Sequence, residues 1–323
     1  MTIENDWHPS APIANLQARA RLLAQVRQFF AERKVMEVDT QLLSQAAVSD
    51  PFIESFEAIY RPSPEQQGVA LYLQTSPEYA MKRLLAAGSG PIYQLGKVFR
   101  NGERGRRHNP EFTMLEWYRP GYSANQLMDE VEQLVLQTLQ ADQIERISYR
   151  DLFVKYLALD PHVVPTDILR ALCRSRLGVE FEDDSRDTWL ELLMSHLIEP
   201  QLQQPVFVHS FPSTQAALAQ VVTDERGVEV ATRFELYMGG VELANGYQEL
   251  TDADEQARRL QVDQARRQAL GLPQRPLEQR LVAALKATMP ECSGVALGFD
   301  RLLMLALGVD SIDQVIAFPF ERA

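Results

Sequence analysis

The sequence predicts an α+β fold, an antiparallel β-sheet flanked by helices, on three observations. Its strand-like runs are short, several are joined as hairpins, and the helical blocks between them follow no regular βαβ rhythm. In residues 14–34, Leu16, Leu23, Val26 and Phe30 fall on one face, widened by Leu22 and Phe29, with Arg19, Gln25, Arg27 and Glu32 opposite. That spacing predicts an amphipathic helix. Met36, Val38 and Thr40 alternate with Glu37 and Asp39, the pattern of a half-buried strand. Ser76-Pro77-Glu78 reads as a helix start, with Ser76 as N-cap and Gly88 as the stop. Two strands follow at 92–99 and 112–118, and Phe112, Met114, Glu116 and Tyr118 share one face of the second. Residues 123–199 read as mostly helical around an acidic segment at 180–187, a scaffold and insertion with no evident chemistry. Residues 233–249 form a hairpin about Gly239-Gly240, 252–270 a charged, solvated helix, and 295–307 a strand passing into a helix.

The chain has 323 residues, 46% of them apolar, with 32 Lys+Arg against 44 Asp+Glu and a net charge of −12. This is the balance of a folded protein with a sizeable core, not of a disordered or collagen-like chain. An acidic surface repels phosphate backbones, so nucleic-acid binding without sequence preference would need a local basic patch. Cys173 and Cys292 are far apart and form no C-x-x-C, against a disulfide framework or zinc ribbon and in keeping with a reducing, cytoplasmic compartment. The first residues carry Glu4 and Asp6 without an apolar core, so a signal peptide is not expected; 1–13 reads as a loose arm before a single domain at 14–323 with its insertion at about 123–200. No apolar run approaches the roughly 20 residues of a membrane span.

Several chemistries fail on spacing. Residues 90–98 mimic a phosphate-binding P-loop, but five residues separate Gly90 from Gly96-Lys97 where four are needed, and Val98 replaces the Ser/Thr. The five histidines never fall at H-E-x-x-H spacing, and no G-x-S-x-G occurs.

Four constellations remain. If Gly239-Gly240 is a two-residue turn, Tyr237 lies opposite Glu242, and Glu235 and Glu242 become diagonal neighbours able to share a divalent cation. The same pattern also fits two solvated strand glutamates. In residues 294–301, Gly294, Ala296 and Gly298 leave one strand face nearly bare for a flat ligand, and Arg301 opens a helix whose start favours phosphate; a close-packed strand with a surface arginine fits equally. The loop 100–110 holds four arginines in an acidic chain, with Arg100 placed to clamp a phosphate and Phe112 to stack on a base, or else a solvated or docking patch. Ser76-Pro77-Glu78 alone is a helix start.

Together these blocks resemble a known family. Thr-Ser-Pro-Glu at 75–78, Phe-Arg-Asn at 99–101, Arg-His-Asn-Pro-Glu-Phe-Thr at 107–113, Glu-Leu-Ala-Asn-Gly at 242–246 and Gly-Phe-Asp-Arg at 298–301 are similar, in the same order, to the catalytic core of class II aminoacyl-tRNA synthetases, specifically lysyl-tRNA synthetases. The first core helix begins near residue 14, without room for the anticodon-binding OB-fold of those enzymes. The resemblance therefore narrows to their truncated paralogues, the elongation factor P (R)-β-lysine ligases, which attach β-lysine to a lysine of translation elongation factor P.

The resemblance implies ATP and Mg²⁺ as co-substrate and cofactor, no tRNA anticodon recognition, no membrane and a homodimer. Arg100 would hold the α-phosphate and substrate carboxylate, and Asn101, Gly102 and Asn109 would line the nucleotide site, with Phe112 on adenine. Glu235 and Glu242 would hold magnesium, with Leu243 beside the nucleotide. Gly298 would admit ATP to the backbone, and Arg301 would meet the γ-phosphate. Ser76, Pro77 and Glu78 would contact one substrate amine, and Tyr118, Asn245 and Glu249 the other. Three positions depart from the family pattern: Gly102 replaces the motif 2 Glu with Glu103 one place later, Gln41 stands where motif 1 has proline, and Ala296 replaces a Gly of the lysyl enzymes. A methyl at 296 would narrow the pocket and disfavour α-lysine. The rivals are a lysine-activating enzyme with another acceptor, and a silent paralogue that only binds lysine or adenylate.

Overall fold

The apolar stripe read over residues 14–34 is helix α1 (Ile13–Glu32) in the computed structural model, which describes residues 7–139 and 143–323. Its buried side chains are Leu22, Val26, Phe29 and Phe30. By their contacts the residues fall into two units, Met1–Gly121 with Thr251–Cys292 and Ala296–Ala323, and Tyr122–Leu250 with Ser293–Val295.

In the first unit, β1 (Met36–Glu37) runs parallel to β5 (Ile92–Phe99), and β5 pairs antiparallel with β6 (Glu111–Pro120) in an unbroken register from Ile92↔Tyr118 to Phe99↔Glu111. Both long strands match the predicted runs because continuous apolar and β-branched text leaves no competing helical period. Phe30 stacks on Tyr93 at 4.3 Å and meets the edge of Trp117 at 5.3 Å, which fixes α1 on this sheet. A separate antiparallel sheet of β2 (Leu43–Ser44), β4 (Val69–Leu73) and β3 (Glu57–Tyr60) was not legible, since two of its strands are short and mostly exposed. Helix α2 (Glu78–Ala86) has Pro77 as its N-cap, one place after the expected Ser76, whose Oγ still accepts from the Glu78 amide at 2.9 Å, and Gly88 takes φ +86° beyond the last turn.

The second unit follows with α3 (Ala124–Leu139), β7 (Glu145–Ser148), α4 (Tyr149–Leu157), α5 (Thr166–Leu177) and α6 (Arg186–Leu193), which runs on as a π-helical turn over Met194–Ile198. Strands β8 (Val206–Pro212), β9 (Val221–Thr223), β10 (Glu229–Tyr237) and β11 (Glu242–Gln248) complete it. β10 lies between β8 and β11, antiparallel to both, while β7 is parallel to β8. Helices and sheet share a core that includes Tyr149, Phe153, Trp189, Leu190 and Phe211, so the stretch read as insertion builds a hydrophobic centre of its own.

The chain then returns to the first unit as α7 (Ala253–Ala269) and α8 (Gln279–Thr288). β12 (Cys292–Gly298) supplies residues to both units, and α9 (Phe299–Leu307) follows it directly. Asp252 caps α7 by accepting from the Asp254 and Glu255 amides. The expectation of a solvated helix here is corrected: Ala253, Gln256, Leu260 and Arg267 are buried, the last because its guanidinium finds Glu54 and the Asp50 and Pro273 carbonyls. The fold is α+β with mostly antiparallel strands, as the sequence predicted. Among the described residues no helix is long and apolar enough to cross a membrane.

The β10·β11 pair tests this packing. Gly246 faces Phe234, and an added Cβ would lie 2.3 Å from its ring. Gly246→Ala is expected to cost about 1–3 kcal/mol of stability through overpacking, read as a lower melting temperature; an unchanged one would show that the ring steps aside.

Candidate active site

In the first unit, the strand ends and loops bring together most of the residues singled out there. Arg100, at the exit of β5, is anchored by its amide on the Pro110 carbonyl at 2.9 Å. Its guanidinium lies 5.2 Å above the Phe112 ring, reaches the Thr75 carbonyl at 3.5 Å and stands 3.6 Å from Glu103. Glu103, one place after Gly102, is thus an ion-pair partner of Arg100. Gly102 has φ +83°, a left-handed conformation that suits glycine. The Asn101 amide donates to the Glu54 carbonyl at 2.8 Å. Asn109 is buried and spends its side chain on the backbone: Nδ2 donates to Glu111 O at 2.7 Å and Oδ1 accepts from the Phe320 amide at 3.0 Å.

On the same unit, α2 and β6 build a second polar group. Glu116, 2% exposed, accepts from Tyr118 Oη at 2.7 Å and from Ser76 Oγ at 3.0 Å, while Ser76 caps Glu78. Glu78 in turn accepts from the fully buried Lys82 at 2.7 Å. Pro77 precedes the helix as its cap residue. Ser76, Pro77, Glu78 and Tyr118 are thus joined through Glu116, which shares the β6 face with Tyr118 but was not singled out as a site residue. Its signal was the i, i+2 alternation on a strand whose neighbours are apolar.

At the end of β12, Leu297 and Phe299 are buried while Ala296 and Gly298 are half-buried, as the alternation predicts, but Gly294, expected on the same bare face, is buried. The Arg301 stem folds over Gly298, where an added Cβ would meet its Cδ at 3.4 Å. Arg301 donates to His108 Nε2 at 2.6 Å, so the imidazole accepts there as its neutral form. Burial, then the charge of Arg301, hold the His108 pKa below its ordinary value. Asp300 was also missed; it is buried and accepts from Arg19 and from the Thr113 amide at 2.6 Å. Arg19, read as part of the polar face of α1, in fact turns inward to it.

The second unit carries the hairpin residues. Gly239 and Gly240 have φ +62° and +65°, and Met238 and Val241 exchange backbone bonds across them, a type I′ turn that places Tyr237 opposite Glu242. A register shift between Leu236 and Tyr237 leaves Leu243 as the extra residue, so Glu235 pairs with Asn245. Glu235 accepts from Arg233, from Tyr237 Oη and from Asn245 Nδ2 at 3.1 Å. Burial together with Glu235 and Glu242 drives the Tyr237 pKa well up, keeping the phenol a donor. Leu243 and Glu249 are buried.

Two carboxylates on one hairpin face are a donor set that suits a divalent cation. Among the described residues no three His, Cys, Asp or Glu side chains are grouped so as to hold a metal ion by themselves, but Mg²⁺ needs only one or two carboxylates beside water and phosphate oxygens. Asn245 Oδ1 is buried with no hydrogen-bond partner, beside Glu235. An orphaned acceptor there fits a cationic guest.

Comparison with known sequences gives the family. Residues 6–322 match the family of class II tRNA synthetases (D, K and N). A Proteus mirabilis protein named elongation factor P–(R)-β-lysine ligase is 50% identical over 322 residues, 98% of each chain. Proteins of the same name from Yersinia enterocolitica and Pectobacterium atrosepticum are 51% identical over 321 residues, 98% of each chain, and 49% identical over 328 residues, 100% of each.

The His108–Arg301 contact predicts a pH signature. His108→Gln keeps an acceptor but cannot take up a proton. Below the ordinary value of 6.5 the unfolded chain binds a proton that the folded imidazole resists. Parent stability relative to the variant therefore falls as pH drops below about 6.5 and levels off below the folded pKa. Urea titrations at several pH values measure it, and parallel curves would refute the lowered His108 pKa.

Proposed function

The chain belongs to the family of class II tRNA synthetases (D, K and N), and on that premise we propose that it activates (R)-β-lysine with ATP and transfers the lysyl group to the ε-amino group of a lysine on translation elongation factor P. It is an enzyme of the ligase class. The observation that carries the finer reading is identity near 50% across nearly the whole length of ligases bearing that name. The chemistry of the polar groups accords with it. A diamino acid brings two ammonium groups, and each requires a carboxylate partner when desolvated.

In this reading the substrate carboxylate attacks the α-phosphorus of ATP in line, the bond to pyrophosphate breaks, and an aminoacyl-adenylate forms. Arg100 holds the carboxylate and α-phosphate against each other, and its guanidinium stabilises the charge that develops between them. Phe112 offers the adenine a stacking face beside Arg100, and Asn101, Gly102, Asn109, Leu243 and Gly298 line the nucleotide. Arg301 meets the departing γ-phosphate. Glu235 and Glu242 would hold Mg²⁺, which when bound neutralises phosphate charge. Glu78, with Ser76 and Pro77, receives one substrate amine, and Tyr118, Asn245 and Glu249 receive the other. Ala296 crowds the amino end and favours the β isomer. The neutral ε-amine of the acceptor lysine then attacks the acyl carbon, the acyl–phosphate bond breaks, AMP departs, and the nitrogen loses one proton to water to leave the amide. The reading includes a homodimer working in the cytoplasm.

The test is intact-mass spectrometry of elongation factor P after incubation with the enzyme, ATP, Mg²⁺ and (R)-β-lysine, with α-lysine in parallel. A gain of one lysyl residue, larger with the β isomer, is expected. AMP release without a mass gain would move the acceptor elsewhere, and nucleotide binding without pyrophosphate exchange would leave a silent paralogue. Arg100→Ala is expected to lower pyrophosphate exchange by about 10²-fold or more; retained exchange would remove Arg100 from the mechanism.

A further inference from the structure

The four-arginine loop is the charge anomaly of an acidic chain, yet only Arg100 among the four is needed by the chemistry above. Arg104 makes six contacts. Its Nη1 donates to two carbonyls of its own loop, Gly105 O at 3.0 Å and His108 O at 3.2 Å. Nε and Nη2 grip both oxygens of Glu321 in a bidentate fork, and Nη2 also lies 3.4 Å from each oxygen of Asp313. One guanidinium thus ties the loop to itself and to the C-terminal segment. Further bonds join the same two stretches. The Ile312 amide donates to Arg106 O at 2.9 Å, Arg106 Nε donates to Asp310 O at 3.1 Å and its guanidinium pairs with the Asp310 carboxylate, and the Phe320 amide donates to the buried Asn109 side chain at 3.0 Å.

The loop has reason to need such fastening. Gly102 replaces the motif 2 glutamate, has no side chain to pack, and a Cβ there would meet nothing within 4 Å. A glycine at the loop's entry enlarges the set of conformations the loop must give up when it binds a ligand.

We propose that Arg104 is a positioning residue which, with Asp313 and Glu321, clamps residues 101–109 in their nucleotide-receiving conformation. The clamp removes an ordering cost that ATP would otherwise meet on binding. It rests on the nucleotide role assigned above to Asn101 and Asn109. Arg104 is given no contact with a reacting atom: its fork is closed on Glu321 and its remaining donors on Asp313 and two loop carbonyls, whereas Arg100 meets its carbonyl and carboxylate only at 3.5 and 3.6 Å.

The experiment compares the parent, Arg104→Met, Arg104→Lys and Glu321→Gln in two measurements. The first is hydrogen–deuterium exchange over residues 101–109. The second is the ATP dependence of pyrophosphate exchange, with thermal melts to confirm folding. In Arg104→Met, exchange is expected to rise in that loop, with KM for ATP up about two- to tenfold, the equivalent of one ordered side chain, while KM for the amino acid and kcat stay within twofold. Glu321→Gln, which leaves the loop sequence intact, should shift both readouts the same way by a smaller factor, and Arg104→Lys, lacking the fork, should not restore them. Unchanged loop exchange would overturn the clamp. Raised exchange with unaltered KM for ATP, or equal losses in every kinetic constant, would reduce Arg104 to a structural tie and overturn the positioning role. A parent that exchanges no pyrophosphate and binds no ATP would overturn the proposed function together with the positioning role, whereas the loop exchange would still report the tie.

Discussion

The first unit depends on one buried carboxylate. Asp300 is 2% exposed and sits in the first turn of α9, where it accepts from Arg19 of α1 and from the Thr113 amide of β6; Arg19 also donates to Thr113 Oγ1 at 2.6 Å and to the Val315 carbonyl at 3.2 Å. A charge taken out of water is tolerable only when each lone pair finds a donor, and breaking such a pair typically costs about 3–5 kcal/mol. The consequence is geometric as well as energetic. Phe112 adjoins Thr113 and Arg301 adjoins Asp300, so the same ion pair that closes the core sets the stacking face and the helix-start arginine in fixed relation.

The charged residues of the arginine loop divide by what surrounds them. Arg100 has the Phe112 ring below it, the Thr75 carbonyl at 3.5 Å and a glutamate 3.6 Å away. Arg104 and Arg106 are committed to the C-terminal segment. Asn101 is held from the other side by the Glu54 carbonyl, and Glu54 is gripped by Arg267 and Arg275. The guanidiniums beside Glu54 outweigh its burial and hold its carboxyl below the usual range. In an acidic chain, the arginines of this region work chiefly as struts.

The second unit also holds a buried carboxylate. Glu235 is neutralised by Arg233 and bonded by Tyr237 and Asn245. Burial alone would lower the Arg233 pKa, yet the carboxylates around it, Glu235 first, outweigh burial and raise it overall. A bulge at Leu243 lets the β11 strand present Glu242 and Asn245 on the face that Glu235 and Tyr237 occupy. The strand carrying the motif is irregular where the ligand chemistry is concentrated.

Local patterns in the sequence determined the α+β class, α1, both long strands β5 and β6, the Gly-Gly turn with Tyr237 opposite Glu242, and the order of the motifs that mark the family. Each depends on residues close in the chain, where period, cap or turn chemistry leaves few alternatives. The tertiary structure alone decided that Arg19 turns inward to Asp300, 281 residues away, that α7 buries Arg267 against Glu54, and that Glu116 joins Ser76 to Tyr118. It also decided that Arg104 is fastened to Glu321 and that strands at 43–44, 145–148 and 221–223 exist at all. An exposed arginine and a buried one have the same text, because what separates them is a partner carboxylate supplied by a distant part of the chain. A three-residue strand exists only when a neighbour offers its ladder of donors and acceptors.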